Sequence, residues 1–131
     1  MSYVVVSGFE NVETGDLQSQ GESIAAFATL ELARAHFTTR VAALESAVRD
    51  ARAADAQATF ITWTAILEMP LEIDGVDEAL EDLETIIEET ESPEDPFGAL
   101  VVDYQGRRSE PSADRPFTQA EALRELEAWL T

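Results

Sequence analysis

Two hydrophobic periods alternate along this chain. Residues 3–9 (Tyr3, Val4, Val5, Val6, Ser7, Gly8, Phe9) are mostly β-branched or aromatic and predict a strand. Glu13 to Asp16 then supply turn chemistry, so a hairpin and a strand followed by a loose loop both fit. Gln18 to Glu22 is polar and contains Gly21, which predicts a loop or edge segment before Ile24. From Thr29 the period lengthens. Leu30, Ala33, Phe37, Val41, Leu44, Val48 and Ala51 follow one another at spacings of 3, 4, 4, 3, 4 and 3, which puts one apolar stripe on a long helix. Thr29 can cap its start, Glu31 suits the positive end of the helix dipole, and Arg49 and Arg52 suit the negative end.

The period then shortens to two. Within residues 58–69, Ile61, Trp63, Ala65, Leu67 and Met69 form one face while Thr62, Thr64 and Glu68 interrupt the other, a strand that Pro70 ends or marks as an edge. Asp74 is the expected N-cap of a second helix, in which Val76, Leu80, Leu83 and Ile87 recur at spacings of 4, 3 and 4 beside Ala79 and Ile86; Ser92 and Pro93 stop it. Residues 99–104 predict a short apolar strand, and Gly106 to Pro116 a polar loop. Thr118 and Glu121 then match the capping box, in which hydroxyl and carboxylate each satisfy a backbone N–H. Ala122, Leu123, Leu126, Trp129 and Leu130 are the expected buried side of the last helix.

The expected order is β, an optional second β, then α, β, α, β and α. This defines an α/β class, with α+β as the alternative: a single small domain over residues 1–131, with three helices packed on a sheet of three to four strands. Any parallel crossover would be right-handed, and the pattern leaves strand order open. At 131 residues and 45% hydrophobic, the chain can bury a core without metal or disulfide staples. Cysteine is absent, which excludes disulfides, thiolate nucleophiles and iron–sulfur clusters. No apolar run approaches the roughly 18 residues of a spanning helix, and the start lacks a basic signal region, so a cytoplasmic or virion location is expected.

Charge changes this picture most. The chain holds 27 acids against 8 arginines and no lysine, for a formal net charge of −19. Residues 58–98 carry 13 of the acids and no base, so the excess has a place as well as a size. Such a chain repels phosphate backbones and anionic membranes, and no direct nucleic-acid or membrane partner is expected. A basic protein, a cation or concentrated salt would relieve the self-repulsion. The outer face of the second helix would present Glu78, Glu81, Asp82, Glu84, Glu88, Glu89 and Glu91, with Glu78/Asp82 and Glu84/Glu88 as like-charge pairs one turn apart. A solvated face in a salt-rich cell explains them as well as a docking surface does.

Other candidate chemistry is sparse. His36, the only histidine, lies about 60° off the apolar stripe at roughly 100° per residue, a boundary position that favours a half-buried structural role over a catalytic or ligating one. Carboxylates in residues 68–95 are too abundant to single out a pair, and no phosphate-binding, zinc-protease, calcium-loop or nucleophile-elbow motif occurs; no cofactor or metal is expected. Arg107, Arg108 and Arg115 gather in the 106–116 loop, where they can meet the acidic helix of a neighbouring copy or pair locally with Asp103, Glu110 or Asp114. Phe97, Tyr104 and Phe117 nearby fit an apolar patch or ordinary core. The leading expectation is a non-enzymatic acidic interaction or structural protein, a subunit of a cellular or viral assembly from a salt-adapted or GC-rich source, working through a protein partner or self-assembly. An inhibitor or immunity-type protein that blocks a basic partner, in the limit by mimicking nucleic acid, comes second. A carboxylate-based enzyme comes third.

Overall fold

The computed structural model describes residues 2–12, 23–69 and 100–130. In chain order these form β1 (Ser2–Asn11), β2 (Ser23–Phe27), α1 (Leu30–Ala54), β3 (Phe60–Met69), β4 (Val101–Ser109), β5 (Asp114–Pro116) and α2 (Gln119–Leu130). The strands make one sheet in the order β2-β1-β3-β4-β5, every neighbouring pair antiparallel. The class is therefore α+β, with five strands where three or four were expected and two helices among the described residues. The acidic helix expected from Asp74 lies outside those residues. β2 and β3 run in the same direction, joined by α1, with β1 inserted between them. This split β-α-β unit has no adjacent parallel pair, so local pattern could not reveal it.

Helix α1 forms where the stripe predicted it. The Thr29 hydroxyl accepts from the Leu32 backbone N–H at 3.3 Å, and Ala33, Phe37 and Leu44 are buried. Its apolar stripe packs on one sheet face, against Val5 and Ile66 near its start and against Phe9, Ala58 and Phe60 near its end. The opposite face holds Val4, Val6, Ile61, Trp63, Ala65, Leu67 and Met69 with Phe117 and Ala122. Both faces of β1 and β3 are thus buried, and Val4, Val5 and Val6 are consecutive core residues.

The largest departure from expectation is β4, which runs on through Gly106, Arg107, Arg108 and Ser109 where a loop was predicted. Pairing with β3 (Gly106 opposite Trp63, Arg107 opposite Thr62) overrides the weak strand preference of these residues. β5 returns alongside as a short hairpin, closed by the Glu110 N–H donating to the Ala113 carbonyl at 2.9 Å. Register shifts between Ile66 and Leu67, so Val102 is an extra residue in β4 and both Val102 and Asp103 lie toward α1. Beyond the bulge, Gln105, Arg107 and Ser109 share the α1 side, while Tyr104, Gly106 and Arg108 take the other.

Gly106 is required on that far side. The Tyr104 hydroxyl folds back over it to donate to the Phe117 carbonyl, and a Cβ at Gly106 would overlap that hydroxyl and come within 2.6 Å of the carbonyl oxygen. Gly106→Ala is expected to destabilise the fold by about 1–3 kcal/mol, the usual cost of overpacking. A denaturant midpoint unchanged from the parent would show that Tyr104 swings away freely.

Candidate functional site

The predicted acidic face, Glu78, Glu81, Asp82, Glu84, Glu88, Glu89 and Glu91, lies outside the described residues, as does Phe97. The predicted basic cluster is described, and its setting corrects the loop expectation. Arg107 and Arg108 belong to β4 and Arg115 to β5, on the β4–β5 hairpin. Glu110, 18% exposed, accepts from Arg108 at 3.2 Å and from Arg115 at 3.1 Å, while Arg107 stands 3.9 Å from Asp114. Two of the three local acids foreseen as partners serve here. The third, Asp103, instead binds Arg34 of α1 at 2.9 Å.

That last pair is one of two clips holding α1 to β4. At the other end Arg52 donates from Nη1 to the Ala58 carbonyl at 2.6 Å and the Ala56 carbonyl at 3.3 Å, and from Nη2 to the Ser109 carbonyl at 2.9 Å and Ser109 Oγ at 3.0 Å. Its guanidinium also lies 5.2 Å from the Phe60 ring centre. The dipole argument placed Arg52 correctly at the helix end but missed this use, because its acceptors are main-chain atoms that carry no sequence signal. Between the clips the helix leaves β4 uncovered, and a cleft of about 480 Å³ opens, within the range of small-molecule sites. Val41, Leu44 and Val48 form its apolar wall, and Thr62, Thr64, Gln105, Arg107 and Ser109 line the strand side. Arg49 and Glu45 line the helix side.

On the opposite sheet face two carboxyls meet. Glu125 of α2 accepts from the Trp63 indole N–H at 2.9 Å and shares a hydrogen bond with the Glu10 carboxyl of β1. Burial, then the bond to Glu10 and the charges of Glu10 and Glu121, push the Glu125 carboxyl up to about 8, against the opposing pull of the indole. Burial, and the nearby Glu121 and Glu125, likewise raise the Tyr104 phenol. The capping box of α2 forms with altered partners: the Thr118 hydroxyl accepts from the Glu121 N–H at 3.3 Å and donates to the Glu121 carboxylate at 2.9 Å. Ala122 is buried as expected; the side chains of Leu123, Leu126, Trp129 and Leu130 lie outside the described set.

His36 is half-buried at the edge of the α1 stripe, its ring centre 5.1 Å from that of Phe27. Burial first, and Arg40 second, lower its pKa, which favours the neutral imidazole. Among the described residues no three His, Asp or Glu side chains converge as metal ligands, and no helix is long and apolar enough to cross a membrane. In comparison with known proteins, the chain matches no family model, no curated protein and no solved structure.

Proposed function

We propose that this protein is a non-enzymatic interaction protein, a subunit of a larger assembly, whose acidic segment at residues 68–95 docks a basic protein surface. The observation that carries the reading is how the arginines are used. Four of the eight pair with acids outside residues 58–98, through Arg34–Asp103, Arg107–Asp114, Arg108–Glu110 and Arg115–Glu110. Arg52 is spent on main-chain oxygens. Five of the eight arginines thus have partners within the described body, and the 13 acids of residues 58–98 have no base within their own segment. Complementary charge of this kind steers association and selects partners.

The test compares two sets of neutralised acids in binding to poly-L-lysine. Replacing Glu78, Glu81, Asp82 and Glu84 by their amides is expected to weaken binding more than the same change at Glu31, Glu45, Asp50 and Asp55, which are exposed on and just after α1. Equal losses would assign the binding to net charge and remove the docking segment. The reading carries a salt prediction as well. Like-charge pairs one turn apart cost about 0.2–0.5 kcal/mol each. At molar salt the Debye length falls to about 3 Å, shorter than their spacing of roughly 5–6 Å. Unfolding temperature is therefore expected to climb as potassium chloride rises from millimolar to molar, and a flat or falling trend would remove salt adaptation from the proposal.

A further inference from the structure

We propose that the cleft between α1 and β4 is a binding site for a small organic anion, with its carboxylate or phosphate held by Arg49 and Arg107 and its apolar body against Val41, Leu44 and Val48. Three of the chain's eight arginines, Arg49, Arg52 and Arg107, line this one cleft, and among the described residues Glu45 is the single acid that lines it. In a chain of net charge −19 this is a local reversal of sign. The three have different duties. Both terminal nitrogens of Arg52 are engaged by carbonyls and Ser109, and it serves as the end wall. Arg49 has no partner among the described residues, and Arg107 has only the 3.9 Å approach to Asp114, with half of its side chain exposed. Two guanidinium groups on opposite banks, one from helix and one from strand, are thus available for an anionic group.

A second observation is independent of charge. Thr64 lines the cleft at the centre of the sheet, is 1% exposed, and its hydroxyl has no hydrogen-bond partner among the described residues. Buried hydroxyls without a partner are uncommon, because burial strips water from them without replacement. Valine has the same shape, so a threonine here supplies a polar atom for which the described residues provide no partner. With Thr62, Gln105 and Ser109 beside it, the cleft offers hydroxyl and amide groups on one side and a helix-borne hydrocarbon wall on the other. Such a division suits a ligand with a polar, acidic end and an apolar body.

The experiment titrates the isotopically labelled full chain with 4-methylbenzoate, phenyl phosphate and neutral 4-methylbenzamide, following backbone amide shifts. Saturable shifts confined to residues 41–52, 62–64 and 105–109 are expected, with at least one anion binding about tenfold tighter than the amide. Which anion binds tighter separates a carboxylate ligand from a phosphate ester. Arg49→Ala with Arg107→Ala is expected to abolish that preference, and Thr64→Val to weaken the preferred anion several-fold. Arg49 and Arg107 are exposed, and the comparison of anion with amide on the unaltered chain needs no variant. Shifts scattered over the surface, equal binding of the amide, or anion binding unchanged in the double variant would each overturn the site.

Discussion

Trp63→Ala is expected to destabilise the protein by about 3–5 kcal/mol, a large share of the roughly 5–15 kcal/mol that holds a domain of this size together. Trp63 is 1% exposed at the middle of β3, the central strand, and packs in the larger hydrophobic cluster with Ile61, Ala65 and Leu67. Alanine leaves a void in this cluster and takes away the indole donor to Glu125 at the same time. Trp63→Phe separates the two losses. It keeps most of the apolar volume, so its cost should be the smaller, and it deletes only the N–H that stabilises the Glu125 carboxylate. Urea unfolding of both variants checks the ranking; a phenylalanine variant as unstable as the alanine one would put the hydrogen bond, not the packing, in charge.

The second large effect is on pH dependence. Glu125 in the folded protein titrates near 8, well above its ordinary value of 4.5, so between these limits the native state binds a proton that the unfolded chain has released. Stability from this group is fully present below about pH 4.5 and is lost as pH rises toward 8. The slope is bounded by about 1.4 kcal/mol per pH unit, the value for one proton, and solvent screening of this partly exposed carboxyl narrows the pH window over which it acts. Glu125→Gln replaces the protonated acid with a neutral group of the same shape, whose carbonyl can take the Trp63 N–H while its amide donates to Glu10. The variant should lose this pH dependence and exceed the parent in stability at pH 8 and above, with little difference near pH 5. Denaturant curves across this range decide it, and a parent protein that gains stability with rising pH would show that Glu125 is ionised throughout. In Trp63→Phe the titration should move upward, since the indole bond is what favours the charged form.

Helix α1 and strand β3 were legible in the sequence because each sustains one period long enough for its apolar face to stand out, β1 because its run of β-branched and aromatic residues is strand-like without any period, and Thr29 caps α1 as its position suggested. β2 was foreseen only as an optional second strand, since Ser23 to Phe27 lacks alternation and is defined by hydrogen bonds to β1. The second half of β4 was not legible: glycine and two arginines favour a turn locally, and only the β3 edge and the Tyr104 ring above Gly106 explain them as strand. The antiparallel order was hidden for a similar reason, because inserting β1 between β2 and β3 is a decision of tertiary pairing. The functional groups divide the same way. The arginines of the β4–β5 hairpin and two of their acidic partners were visible as neighbours in the chain. The cleft was not, for it joins the second half of α1 to alternate residues of two strands, and the Glu10–Glu125 pair joins the first strand to the last helix.

Placing β1 in the sheet interior, ahead of β3 in the chain, has a consequence for how the molecule is made. β1 is paired along both edges, to β2 and to β3, so its second ladder stays open until Met69 has left the ribosome. Until then a hydrophobic ribbon with a vacant edge is exposed to other nascent chains, the situation in which aggregation competes with folding. Cutting within β1 would here remove an interior member of the sheet, where the loss of an edge strand would leave the rest paired.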